Sequence, residues 1–472
     1  MKKISTFLCA SLAAVAVAAC ANFEVTNPNQ PTLDDLLANP TRAKLNAAAT
    51  GLFSRSRSEI TSFIWRLGSM GREGINLAGN NQPDYQEPYF GPLSPSGFGG
   101  ALWQSRYGLI RDANTYLDAL SKTGDLSPAE KTVSQAMAET LKALAFTYII
   151  ETRAKLGAPV DVGRAIDAAP APFVTEDSVY GYALGLLNDA SSKLQANAGV
   201  SFPFPLPSGY SGFDTPATFR RFVNALIAKA NVLRATAGCG TPCYNAALAA
   251  LNASFIDTSD PSQFQNGVYF NFSNSPNDQV NDLSEPLDGV RYFADSLILY
   301  QKAQSNGPTI DLRLSSKTAA ATASSPQSIG GVDITGTLKF TRYFTNGQSD
   351  AGHSIPIIKN EELILLRAEA EYLTGNTAGG LRDLNYVRVN SGGLAPYGAF
   401  ANNGAFIHAL LYEREFSLLW EQGTTWIDAR RFNLLNTIPL GVTSGAVPTV
   451  MPIPAAECAA RGKPGSCTPL TG

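Results

Sequence analysis

Histidine is nearly missing from this 472-residue chain: there are two, His353 and His408. A three-histidine zinc site is therefore impossible. A Ser-His-Asp triad would have to draw on one of these two, and no G-x-S-x-G elbow is present. There is no P-loop and no G-x-G-x-x-G after a strand-like run, so the usual phosphate and dinucleotide cradles are lacking. Charge is sparse: 16% of residues are Asp, Glu, Lys or Arg, the net charge is −3, and no basic run stands out. This argues against a nucleic-acid partner. Neither a cofactor nor a metal is expected. One enzyme class needs no histidine, metal or cofactor, namely glycoside hydrolysis by two carboxylates, and it stays open at this point.

What is present begins at the first residues. Lys2 and Lys3 form a positive start, Ile4 to Ala19 carry no charge, and the run ends Val17-Ala18-Ala19-Cys20. It is too short for a comfortable span of about 20 residues and fits the apolar region of an export signal. One branched residue, two small ones and Cys make a lipobox, so residues 1–19 read as a lipoprotein signal peptide and Cys20 as the lipidated residue. No long apolar stretch follows, so the mature chain reads as a soluble body on a lipid anchor. Cys9 leaves with the signal. The remaining four cysteines form close pairs, Cys239/Cys243 and Cys458/Cys467. Two local disulfides are the default beyond the inner membrane; a four-cysteine zinc site is the alternative.

Helix-start signals recur along the chain. Ser127-Pro128-Ala129-Glu130 is a capping box with proline at the first helical position, opening a helix to about Arg153. Thr215-Pro216 opens another, to Gly238, and Asn39-Pro40 a third, to about Phe53. Further helices fit 103–122, 175–197, 242–253, 360–374, 377–390, 404–422 and 426–435. Leu-x-Ala-x-Ala-x-x-(Leu/Tyr) occurs at Leu141–Tyr148, Leu226–Leu233 and Leu366–Leu373. The alanines let a neighbouring helix approach closely, as in stacked helical hairpins of TPR type. Gly (41) and Pro (29) concentrate at 79–100, 199–216 and 436–472, and 257–356 is mostly irregular. Long loops of this kind usually carry function.

Residues 412–433, YEREFSLLWEQGTTWIDARRFN, hold seven charges and five aromatics in 22 positions. On a helical wheel over 410–422, Leu411, Tyr412, Phe416, Leu418, Leu419 and Trp420 fill one arc, and Glu413, Arg414, Ser417 and Glu421 the opposite one. Glu415 falls inside the apolar arc, where a carboxylate needs a partner. A break at Gly423 and a second helix would bring it against Arg430 or Arg431, giving a packed hairpin with a buried ion pair. The carboxylate pairs Glu413/Glu421 and Glu361/Glu362 read as solvated helix faces rather than as hydrolase machinery.

The same stretch resembles the C-terminal signature of the SusD/RagB family of outer-membrane lipoproteins. NFEVTNPNQPT (22–32), WQSRYGLIRDANTYL (103–117, through Trp103, Tyr107, Ile110 and Asn114), the helical pair within 355–393 and MPIP (451–454) resemble that family in the same order. The resemblance implies a mostly α fold, with a TPR-like hairpin scaffold and long irregular ligand-binding loops. It implies a single domain over 20–472: an N-terminal part 20–260, a loop-rich middle 261–356 and a C-terminal helical part 357–472. It further implies a non-enzymatic protein, lipid-anchored to the outer membrane and facing the cell surface. Such a protein binds an oligosaccharide or peptide and passes it to a SusC-like, TonB-dependent transporter.

Segment 72–98 is the first candidate ligand loop. It carries Tyr85, Tyr89, Phe90 and Phe98 among Arg72, Asn80, Asn81 and Asp84. Rings among amides and charges suit a sugar, whose C–H faces stack on aromatics while hydroxyls take hydrogen bonds. A loop pinned down by its own rings has the same composition. A second loop, 274–292, offers Asn281, Arg291 and Tyr292, together with Asn277 and Asp278, and the family's habit of joining an early and a mid-chain loop favours the two together.

Overall fold

A computed structural model describes residues 33–78, 83–165, 167–329, 332–440, 446–463, 465 and 467. Cys20 with its lipobox, the segment 22–32, Asn80 and Asn81 lie outside the described residues. The fold is mostly helical, with strands confined to short two-stranded pairs.

The capping box at Ser127 forms as expected: its Oγ accepts from Glu130 N while the Glu130 carboxylate accepts from Ser127 N. Such a cap contributes about 1 kcal/mol and starts the helix Pro128–Arg153. Gln104–Lys122, Pro128–Arg153, Glu176–Ala196, Pro216–Arg234 and Thr241–Asn252 pack each on the next, and the array continues through Asn360–Leu373 and Thr377–Asn390. The alanines of the repeated pattern sit at these contacts: Ala143, Ala145, Ala228, Ala230, Ala368 and Ala370 are all buried. This is the stacked-hairpin scaffold. Ile60–Met70, Pro83–Phe90 and Ser296–Lys302 are helical too, where the sequence suggested loop or nothing. The loop-rich middle contains several short ribbons, including Gly267–Phe270 paired with Ile355–Lys359. Both disulfides are formed, Cys239–Cys243 and Cys458–Cys467, with Cα atoms 5.8 and 5.6 Å apart.

The hairpin of 403–431 departs from the wheel. The helix Asn403–Ser417 stops five residues early, and Trp420 and Gly423 both take positive φ, 59° and 61°. The Trp420 ring stacks on Phe340 with centroids 4.1 Å apart, and a Cβ on Gly423 would lie 2.3 Å from Leu67 Cβ. Close packing against Ile60–Met70 therefore demands glycine there.

Glu415 is buried, as its place in the apolar arc requires, but its partner is neither Arg430 nor Arg431. Lys302 from the middle segment reaches it, with Nζ 2.5 Å from Oε1. Arg430 instead donates to the Glu151 carbonyl oxygen (2.6 Å) and lies over the Trp426 ring. Arg431 joins Asp428 and Glu369. The opposite arc is not solvated either. Glu413, Arg414, Ser417 and Glu421 are buried, because other segments enclose the helix on that side. Arg313 and Arg388 each come within 2.7 Å of Glu413, and Asp428 within 2.6 Å of Arg414. Arg342 (2.6 Å), Lys359 (2.8 Å) and Lys317 (3.1 Å) surround Glu421. Glu361 and Glu362 are likewise buried, against Lys359 and Lys229. A wheel sees one helix against one partner; here the partners come from 229 to 428. Burial alone would raise the Glu421 pKa, yet Arg342, Lys317 and Lys359 hold it well below the usual carboxylate range.

Candidate ligand-binding site

The two loops expected to form a site do meet. Gly74–Asn76 pairs antiparallel with Tyr292–Ala294, in the register Gly74↔Ala294, Ile75↔Phe293 and Asn76↔Tyr292. A Cβ at Gly74 would fall 2.6 Å from the Phe293 carbonyl oxygen, so the close ribbon requires glycine at this point. Ile75, Leu77, Tyr85, Tyr89 and Phe293 then form a small apolar cluster of their own, with Phe90, Ala321 and Ile334 against it.

This cluster consumes the rings on which the sequence reading placed a ligand. Tyr85 and Tyr89 are each only 4% exposed. The Tyr85 hydroxyl donates to Gln327 Oε1 (3.3 Å), and that of Tyr89 to the Gly74 carbonyl oxygen (3.2 Å). Arg72 is fully buried, stacked 4.1 Å over the Tyr89 ring and donating to the carbonyls of Ser69 and Pro88. Burial lowers its pKa. Asp84 is buried with Asn76 Nδ2 donating to it, and Arg66 lies 3.7 Å away; burial raises its pKa and Arg66 offsets part of that. Phe98 faces the main core, edge-on to Trp65. Asn281 is buried, donating to the His353 carbonyl oxygen (2.9 Å), and Tyr292 is buried beside Trp65 and Trp420. Of the placed residues, Phe90 and Arg291 keep partial exposure. The loop is pinned down by its own aromatics, so most of these side chains build a wall rather than a surface. A short segment folded apart from the main core needs its rings for its own stability.

The wall has an open side. A cleft of about 200 Å³ lies between Ile75 and Tyr89 on one flank and Ala294–Leu297 with Asp333–Gly336 on the other. Asp295 caps the helix Ser296–Lys302, accepting from Ile298 N (3.1 Å), and its other oxygen lies 3.4 Å from the Tyr89 hydroxyl. Burial raises its pKa. Ser296, Asp333 and Thr335 add polar groups at the mouth. Leu297 and Tyr300, one turn apart, are each 52% exposed. The sequence reading missed these residues. Their signal is the run Ser-Leu-Ile-Leu-Tyr after a capping Asp: Ile298 and Leu299 are buried, and a short helix apolar all round leaves its other face outward.

Among the described residues no group of three or more His, Cys, Asp or Glu is placed to hold a metal ion, and no helix is long and apolar enough to cross a membrane. No family model matches the sequence, and no curated protein matches it either. Solved structures do match. Bacteroides fragilis NanU superposes with a TM-score of 0.65 at 17% identity, covering 94% of this chain and 100% of its own. A SusD superfamily protein from Parabacteroides distasonis gives 0.66 at 15% identity over 89% of this chain and 98% of its own. The chain has the SusD fold. A SusD-like carbohydrate-binding protein from Bacteroides fragilis gives 0.62 at 17% identity, again over 89% of this chain and 98% of its own. The cleft lies where the early loop meets the mid-chain segments 294–297 and 333–336.

Proposed function

We propose that this chain is a lipid-anchored binding protein of the outer membrane. It captures glycans, or peptides, from outside the cell and passes them to a SusC-like, TonB-dependent transporter without altering them. The observation that carries this reading is the SusD fold along almost the whole chain, joined to a cleft lined by the early loop (Ile75, Tyr89) and by the mid-chain segments 294–297 and 333–336. One neighbour with that fold is itself a carbohydrate-binding protein. Cys20 would carry the lipid. At about 200 Å³ the cleft is below the roughly 300–1,000 Å³ of typical small-molecule pockets. It would hold part of an oligosaccharide, with the apolar faces of Leu297 and Tyr300 under the next unit and Ser296, Asp333 and Thr335 on its hydroxyls.

A surface glycoside hydrolase is the second reading, and one feature speaks for it: two carboxylates, Asp295 and Asp333, border the same cleft. Asp295 is already committed as a helix cap and to Tyr89, which suits a fixed wall better than an acid or nucleophile. Glycan and peptide arrays probed with the full chain, followed by chromatography of each retained sugar, separate the two. Retention with intact sugar is expected; shortened sugar would replace binding with hydrolysis. Failure to retain any glycan or peptide would remove the proposal. Cys20→Ser is expected to release the folded protein from the membrane fraction.

A further inference from the structure

A larger cleft, of about 490 Å³, opens where three scaffold helices end against the C-terminal segment. It shares no lining residue with the loop cleft. Lys155 follows the helix Pro128–Arg153, Glu176 begins Glu176–Ala196, and Thr236 follows Pro216–Arg234. Arg430, Asn433 and Asn436 close it from the other side. Lys155, Asn433 and Asn436 are exposed at its mouth.

Arg430 is the unusual member. Of its donors, Nη2 is used, on the Glu151 carbonyl oxygen; Nη1 is buried and has no hydrogen-bond partner among the described residues. No carboxylate forms an ion pair with it among the described residues, whereas its neighbour Arg431 is saturated by Glu369 and Asp428. Burial lowers the Arg430 pKa, with Glu176 the first of the groups that offset it. The protein has thus placed a guanidinium at a cleft wall, braced it on Trp426, with Glu176 the nearest influence on its charge but no carboxylate in ion-pair contact among the described residues. A guanidinium N–H without an acceptor is unfavourable, and a carboxylate drawn to this wall of the cleft would supply the missing negative charge.

We propose that this cleft binds a small carboxylate, held by Arg430 and Lys155, with Thr236, Asn433 and Asn436 on the hydroxyl or amide groups beside it. A planar carboxylate matches a guanidinium better than it matches a lone ammonium. Glu176 in the same wall disfavours a ligand of higher charge, such as a phosphate ester. Two sources supply this chemistry: a uronic acid unit of a glycan, or the C-terminus of a peptide.

The test is calorimetric titration of the full chain with glucuronate, with glycylglycine, and with glucose as the neutral control. Binding of either acid, with none of glucose, is expected, and which acid binds names the source. Arg430→Gln and Lys155→Ala should each weaken it, by about tenfold for the arginine. Glu176→Gln should tighten it severalfold, a gain that damage to the fold cannot produce. The inference is overturned if neither acid binds, if glucose binds equally, or if Lys155→Ala and Glu176→Gln both leave the affinity unchanged. None of these outcomes depends on the loop cleft.

Discussion

Replacing Glu421 by glutamine removes a charge and almost no volume from the middle of an ion-pair network. The side chain is fully buried, and Arg342, Lys359 and Lys317 lie within 2.6, 2.8 and 3.1 Å of its carboxylate. With the charge gone, three cations remain, and among the described residues only Glu361, 3.0 Å from Lys359, is left in ion-pair contact with any of them. Breaking a buried pair in this way costs about 3–5 kcal/mol. Unfolding entropy runs at roughly 2 cal/mol/K per residue, so for a unit of this size the loss corresponds to about 3–5 °C in Tm. Calorimetry and urea titration of both proteins at pH 7 read it directly. The sign with pH follows from the depressed carboxyl pKa. The stabilisation is complete above the unfolded value of 4.5 and is lost from the wild type as pH falls below it. The deficit of Glu421→Gln should therefore shrink between pH 5 and 3. A useful contrast is Glu130→Gln, at the exposed pair with Arg42, where at most about 1 kcal/mol is expected. Equal stability of Glu421→Gln and wild type at pH 7, or a deficit that does not change with pH, would refute the reasoning.

Other perturbations probe separate parts of the structure. A double-mutant cycle on Lys302 and Glu415 should give a coupling of about 1–3 kcal/mol, while the same cycle on Arg431 and Glu415 should give none. Glu151 is buried and its pKa is pushed up to about 7 by that burial. A raised folded pKa means stability that is complete below 4.5 and lost as pH rises toward 7. Glu151→Gln should then be more stable than wild type at pH 8, by about 1–3 kcal/mol, and no better at pH 4; urea titrations at the two pH values read the difference. Gly423→Ala should cost more than about 2 kcal/mol in thermal unfolding, from the left-handed backbone and the contact with Leu67 together.

Much of the scaffold was legible because its signals are local. The capping box at Ser127, the helix start at Thr215-Pro216 and the paired alanines each depend on residues within a few positions of one another, and each appears in the structure. The break at Gly423 was legible for the same reason. What failed in the stretch 412–433 was each statement about the far side of a contact. Lys302 lies 113 positions from Glu415, and nothing in YEREFSLLWEQG names it. The burial of Glu413 and Glu421 depends on Arg313, Lys317 and Arg342, scattered through a segment that reads as loop, and on Lys359 just beyond it. At the ligand loops the pairing of the two segments was expected and is seen, but the direction of the rings was not. An aromatic on a loop serves a ligand or the loop itself, and only the neighbours decide. Here Gln327, Gly74 and Phe293 decide it for Tyr85 and Tyr89.

A loop cleft that captures a glycan must bind the sugar and leave it whole. Titration of the full chain with an oligosaccharide retained on the array, beside Tyr300→Ala and Asp333→Asn, tests it most directly, with the sugar analysed after each run. Tyr300→Ala is expected to weaken binding by roughly 1–3 kcal/mol, the worth of a stacked aromatic contact. Asp333→Asn should weaken binding more mildly, both variants should melt as the wild type does, and the sugar should be recovered intact. Unchanged affinity in both variants, or a shortened sugar whose appearance stops with Asp333→Asn, would contradict it.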